Sequence, residues 1–398
     1  VAGAGGPVHD FERYGRAELS RRRGEKWSRD GGTVLAAWVA DMDFPVAPAV
    51  HEALGWAVAT DDLGYPAERL RAEVRAAFAD RLRCRYAMPA SAEDVLLTFD
   101  VVQGICAALM TLTEPADAVL FLSPAYPPFF SSVRETGRRL VTFDLEPSAG
   151  GYRFDAAALD RLVVTEGVRC LLLCNPHNPT GRVLRPDELE ALALIACEHD
   201  LVVISDEIHA DLTLPGAAHS ALAALGTEIA RRTVTLTSAS KAFNLAGLGC
   251  AAAVFGSPAL RQRFAAFPPH LRGGPSALGL LATLAAYQSG GSWLEELIGY
   301  LARQRALVAE RVAGWPGVAH VPPEGTYLAW LDLRGAGLGD DPAAVLQREA
   351  GVALQPGASF GPAGRGHARL NFATPRPLLA EALDRLEKAL ARLVAQAP

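Results

Sequence analysis

The chain has 398 residues, 50% of them apolar and 21% charged, with a formal net charge of −6 at neutral pH. That length suits one large domain plus a smaller one around a large core, and the intermixed charges argue against a nucleic-acid groove. Every apolar run is cut by Gly, Pro or charge within a few residues, which excludes a membrane-spanning helix.

The first ten residues carry neither a basic stretch nor an apolar one, so no signal peptide is predicted and the expected compartment is the cytoplasm. Cys84, Cys106, Cys170, Cys174, Cys197 and Cys250 show no C-x-x-C spacing, and most sit in apolar surroundings. They read as small buried hydrophobes in a reducing compartment, with no disulfide framework and no zinc site. The histidines offer no H-E-x-x-H arrangement, so no metal is expected.

Three regions are expected: an N-terminal arm at 1–50 that joins the smaller domain, a large domain at 51–290, and a linking helix with the C-terminal small domain at 291–398. From about residue 90 to 255, short apolar runs alternate with helical patterns. Val119–Leu122, Cys170–Cys174, Leu201–Ser205 and Thr233–Thr237 are continuous apolar or β-branched runs, as expected of strands covered on both faces. Between two of them Pro186-Asp187-Glu188-Leu189 opens a helix, with Pro at the first position and acids in the first turn. Strand, helix, strand at this spacing predicts an α/β fold with a mostly parallel sheet between helical layers. Further on, Trp293–Val312 reads as a long amphipathic helix, Leu328–Leu333 and Ala368–Phe372 as strands, and Leu378–Val394 as a closing helix; 268–275 and 356–366 read as loops.

In such a sheet ligands bind beyond the carboxyl ends of the strands. Four of the predicted strands are followed at once by polar or aromatic groups: Pro124-Ala125-Tyr126, Asn175-Pro176-His177-Asn178-Pro179, Asp206-Glu207-Ile208-His209 and Ser238-Ala239-Ser240-Lys241. A lysine flanked by small hydroxyls and followed by a glycine-rich stretch suits a pyridoxal 5′-phosphate (PLP) site, which needs an amine, anion donors and little bulk. Lys241 is the expected Schiff-base lysine. Asp206 is the expected acid at the pyridine nitrogen, or a cap on the next helix. Asn178 is the candidate donor to the phenolic oxygen, and Tyr126 stacks on the ring or is a core tyrosine. Ser238 and Ser240, with backbone N–H groups around Val102 and Gln103, are expected at the phosphate.

These strings, together with Lys26-Trp27, Ala40-Asp41-Met42-Asp43-Phe44, Gly64-Tyr65-Pro66, Lys241-Ala242-Phe243-Asn244 and Arg369-Leu370-Asn371-Phe372, resemble the fold-type I PLP enzymes of the aminotransferase class I/II superfamily. The resemblance spans nearly the whole chain and is nearest to the bacterial cystathionine β-lyase/C–S lyase branch. It implies a large domain with a mostly parallel seven-stranded sheet sandwiched by helices, plus a smaller α/β domain. It further implies that Arg369 clamps the substrate carboxylate, that Asp41 lies on the substrate side, and that His209 stands near the phenolic oxygen. Tyr65 would reach the cofactor phosphate of the other subunit of a homodimer and help line its substrate site. The implied reaction is cleavage of cystathionine or a related S-substituted L-cysteine to thiol, pyruvate and ammonia, with amino-group transfer as the alternative. Two departures stand out. Asp100 occupies a place where the branch commonly has glycine, and Leu271–Ser276 differs from the usual string, which points to a substrate other than cystathionine.

Overall fold

The structure is a computed structural model that describes residues 9–28, 33–148 and 151–396. The expectation about a leader segment rests mainly on residues 1–8, which lie outside the described residues. Fourteen strands are described. They are β1 (Leu35–Ala37), β2 (Val95–Thr98), β3 (Ala118–Ser123), β4 (Arg139–Asp144), β5 (Glu146–Ser148), β6 (Gly151–Arg153), β7 (Val168–Cys174), β8 (Val202–Asp206), β9 (Thr233–Thr237), β10 (Ala251–Phe255), β11 (Ala319–His320), β12 (Leu328–Asp332), β13 (Val352–Pro356) and β14 (His367–Asn371).

Seven of them form one sheet in the order β2-β10-β9-β8-β7-β3-β4, with β10 antiparallel to both its neighbours and the rest parallel. The continuous apolar runs follow from burial on both faces. Val119, Phe121, Cys170, Leu172 and Ile204 pack into one core, while Leu120, Leu122, Leu171, Leu173 and Val203 pack into another on the opposite face. Helices cover each face. The one at Pro186–Glu198 starts as expected: Glu188 reaches back to the Arg185 N–H at 3.0 Å and pairs with buried Arg182 at 2.6 Å.

A second sheet has the order β1-β13-β14-β12-β11. Here β1 pairs in parallel with β13, Leu35 opposite Val352, so the N-terminal segment is an edge strand of the C-terminal sheet. The long helix Gly291–Val312 packs in the core beneath it, through Trp293, Leu297, Leu301 and Val308.

Sequence patterning missed β2, β4 and β10 in the seven-stranded sheet, β1, β11 and β13 in the second, and the small β5–β6 pair. In the first of these sheets β10 is instructive. It is Ala-Ala-Ala-Val-Phe, whose alanines carry little strand preference and whose place in the sheet comes from burial alone. The segment 268–275 contains a one-turn helix, Pro269–Arg272, and 356–366 contains two short 3₁₀ turns. All six cysteines are free, and three depart from expectation: Cys84 is exposed on its helix, and Cys106 and Cys197 are half-buried. No described helix is long and apolar enough to cross a membrane.

Candidate active site

A cavity of about 330 Å³ opens where the carboxyl ends of β3, β7, β8 and β9 face the second sheet, within the range typical of small-molecule and cofactor sites. Tyr126, Asn178, Asp206, His209, Ser238, Ser240, Lys241 and Arg369 all line it. The two sheets thus bring together side chains that lie up to 243 residues apart in the chain (Tyr126 to Arg369).

The roof of the cavity is the segment 38–44, and its backbone is held at nearly every residue. Arg369 Nη2 donates to the Trp38 carbonyl at 3.0 Å, and Asn371 Nδ2 donates to the carbonyls of Val39 and Asp41 at 2.6 and 2.7 Å. The Ala40 carbonyl accepts from Lys241 Nζ at 2.9 Å and from the Tyr327 hydroxyl at 2.7 Å. Asn244, three residues beyond the lysine and at φ 59°, clasps both the N–H and the carbonyl of Met42 at 2.9 Å. Buried Asp43 accepts from Lys26 Nζ and Trp27 Nε1, each at 2.7 Å. These contacts give the Ala-Asp-Met-Asp-Phe and Lys-Trp strings a physical meaning: a strap clamped from both sheets.

Burial lowers the basicity of the Lys241 amine, a shift that Asp41 opposes and Arg369 reinforces. Asp41 itself does not line the cavity, but its charge acts on that amine. Arg369, 4% exposed, donates through Nη1 to Asn178 Oδ1 at 2.8 Å and lies 5.0 Å from the Phe360 ring, and its Nε has no partner. Burial draws its pKa down to about 10, so it remains a cation at neutral pH. Because Asn178 spends its oxygen on Arg369, its amide nitrogen is left to donate into the cavity.

Asp206 is 4% exposed and accepts from the Ile208 N–H at 3.1 Å. Asp206 does not cap the next helix, which starts after His209; one oxygen braces the following turn, and Oδ2 has no partner among the described residues. His209 lies beside it, T-shaped to Tyr327, with Nδ1 buried and unpartnered. Burial depresses its pKa to about 3, so the imidazole is neutral. An unpaired buried acid, an unpaired imidazole nitrogen and an unpaired guanidinium nitrogen around one cavity are costly in an empty protein. They fit a flat polar cofactor and an amino-acid substrate.

At the phosphate end, Ser240 and Val102 line the cavity, and the helix Val101–Leu112 begins there. Asp100 caps that helix, accepting the Gln103 N–H at 2.7 Å, and Gly104 N–H is bonded to the Asp100 carbonyl. Gln103 therefore does not line the cavity; its side chain folds back to the Phe99 N–H at 3.1 Å. Ser238 donates to the Cys250 carbonyl at 2.6 Å and accepts from the Ser240 N–H at 3.1 Å, which ties the lysine turn to β10. Tyr65 is fully exposed and is not among the residues lining this chain's own cavity.

Sequence reasoning passed over Tyr327, 1% exposed, which shares its acceptor with Lys241. The available signal was weak, a lone tyrosine heading a strand after Glu324-Gly325-Thr326. Glu207 and His219, paired at 2.9 Å and both buried, brace the loop from behind. The Asp-Glu-Ile-His string thus mixes cavity-lining and supporting residues.

The Asp206 environment carries a pH signature. Burial raises its carboxyl from 3.8 to about 7, so the folded protein favours the protonated form. That contribution is full below pH 3.8 and is lost as pH rises through about 7. His209 has the opposite slope, its contribution being present above its ordinary pKa and lost as pH falls toward about 3. Asp206→Asn should isolate the first effect. In cofactor-free protein the variant should gain stability relative to wild type across that window, by about 1.4 kcal/mol for every tenfold by which folding tightens proton binding at the carboxyl. Denaturant unfolding at several pH values measures it, and a pH-independent difference would contradict it.

The sequence profile of the family aminotransferase class I and II matches residues 39–386. The cystathionine beta-lyase of Corynebacterium glutamicum is 35% identical over 374 residues, covering 94% of this chain and 98% of that protein. Among solved structures, cystalysin from Treponema denticola, which contains a pyridoxal 5′-phosphate cofactor, superposes with a TM-score of 0.90 at 30% identity, covering 97% of this chain and all of that one. N-succinyldiaminopimelate aminotransferase from Mycobacterium tuberculosis superposes with a TM-score of 0.82 at 31% identity, covering 89% and 92%.

Proposed function

The chain belongs to the aminotransferase class I and II family, and from that membership we propose that it is a PLP-dependent carbon–sulfur β-lyase. Its substrate would be cystathionine or a related S-substituted L-cysteine, and its products a thiol, pyruvate and ammonia. The observation that carries the reading is the Lys241 amine, held at 2.9 Å from the Ala40 carbonyl in the same cavity as Asp206, Asn178 and Arg369.

Bound there, the cofactor supplies an electron sink that acidifies the substrate Cα–H. The chain's own residues do the rest. Lys241, its basicity lowered by burial, accepts the Cα proton and is well placed to deliver it to the departing sulfur. Arg369 holds the α-carboxylate, and Asn178, fixed by Arg369, presents its amide to the phenolic oxygen. Asp206 would hold the ring nitrogen, and Tyr126 would cover the ring face. Neutral His209 completes the polar wall beside Asp206. Ser240 and the Val102 N–H would hold the phosphate, with Ser238, bonded to the Cys250 carbonyl, beside them. The C–S bond breaks with its electron pair on sulfur, and the released 2-aminoacrylate hydrolyses in water to pyruvate and ammonia.

Tyr65 acts in the partner's site of a homodimer. Its full exposure, next to exposed Trp56, Val58 and Leu63, supports that placement. The free thiols suit the cytoplasm.

An aminotransferase reading has the M. tuberculosis structure in its favour and would use the same lysine, acid and arginine. The two part company in turnover. Incubation with L-cystathionine, S-alkyl-L-cysteines and L-cystine, without any keto acid, should give sustained pyruvate in step with thiol. A single turnover that resumes only when a keto acid is added would assign amino-group transfer instead.

A further inference from the structure

One charged side chain lines the cavity without an ion pair among the described residues and without a part in the chemistry above. Glu25 lines it, as do Val39, Ala40, Gln355, Phe360 and Arg369. Among the described residues no hydrogen bond or ion pair reaches its carboxylate. Its neighbours are fixed: Lys26 and Trp27 are each 4% exposed and both bond to Asp43. The Lys26 carbonyl accepts the Trp38 indole N–H at 3.1 Å, and the Trp38 carbonyl in turn accepts from Arg369 at 3.0 Å. A rigid relay of two hydrogen bonds thus sets Glu25 near the carboxylate clamp, with its own side chain free at the mouth.

Arg369 and Lys241 serve the α-carboxylate and the reacting centre, and Asp100 and Asp206 serve the cofactor end. Glu25 is what remains for the substituent on sulfur. Resting on the lyase reading, we infer that Glu25 selects S-substituted L-cysteines whose substituent carries a cation, such as an alkylammonium, over neutral or anionic ones. A carboxylate at a partly wet rim adds modest affinity by itself. It discriminates more strongly once a bound substrate excludes water, and it repels anionic substituents outright.

S-(2-aminoethyl)-L-cysteine and S-propyl-L-cysteine are nearly the same shape and differ in that charge. Wild-type enzyme should turn over the aminoethyl compound with a kcat/KM about three- to tenfold higher. In Glu25→Gln the loss should fall on the aminoethyl compound and abolish the preference, while Glu25→Lys should favour S-(2-carboxyethyl)-L-cysteine. Calorimetry gives a readout independent of turnover: the holoenzyme should bind L-lysine more tightly than L-norleucine, and Glu25→Gln should bind them equally. Equal handling of the aminoethyl and propyl compounds by wild type, or an equal loss on both in Glu25→Gln, would overturn the inference and leave the lyase intact. If no S-substituted cysteine yields pyruvate but the lysine preference persists and needs Glu25, the lyase reading fails and the cation preference stands.

Discussion

Lys241→Ala should lose turnover by about 10²- to 10⁴-fold or more, the range expected when a positioned proton acceptor is removed, and should lose the yellow colour of the lysine-bound cofactor. The fold should survive. The amine is disfavoured by burial, and its one described acceptor, the Ala40 carbonyl, keeps the Tyr327 hydroxyl at 2.7 Å. Truncation therefore leaves no backbone group unsatisfied and costs about 1 kcal/mol of stability. Visible absorption, turnover and thermal melting separate the two effects. A yellow, active Lys241→Ala protein would end the assignment of Lys241 as the lysine that holds the cofactor. The same variant tests the dimer: mixed with inactive Tyr65→Ala subunits, it should form heterodimers with one intact site and regain activity. Activity that stays flat on mixing would place Tyr65 outside the partner's site.

Arg369→Lys should raise KM steeply and lower kcat/KM by roughly 10- to 150-fold, which corresponds to about 1.5–3 kcal/mol for hydrogen bonds to a charged group. Lysine offers a point charge where the guanidinium offers a planar fork. The arginine here is buried in the middle of β14, opposite Trp330 and Gln355. Its unpartnered Nε is the donor left over for a ligand. Cofactor absorption should persist, since the lysine turn on β9 is untouched, with a small change where Asn178 loses its 2.8 Å tether. An unchanged KM would show that the carboxylate binds elsewhere.

Much of the site was legible in the sequence because a doubly covered parallel sheet leaves a plain trace. Its strands read as unbroken apolar runs, and polar groups placed directly after them must lie at one edge. Tyr126, Asn178, Asp206 and Lys241 follow β3, β7, β8 and β9, and all four line the cavity. The phosphate end was read less well. Gln103 was expected at the cavity, but Asp100 captures its N–H, since an aspartate before a helix is a strong cap. The cysteines were read as buried because their neighbours are apolar. Cys84, flanked by Arg83 and Arg85, lacks such neighbours and is exposed.

The sequence by itself determined the parallel sheet, the amine and acid at its edge, and the family likeness, because these depend on short-range pattern and residue type. Tertiary structure alone decided how the roof is held. Trp38, Val39, Ala40, Asp41 and Met42 are fixed through their backbone groups, by Arg369, Asn371, Lys241, Tyr327, Lys26 and Asn244. Every residue carries the same backbone carbonyl, so no residue type announces which one will be held. The same reason hid Tyr327 and Glu25, whose meaning lies in contacts or exposure created by segments some 300 residues apart, Ala40 with Tyr327 and Glu25 in one cavity with Arg369.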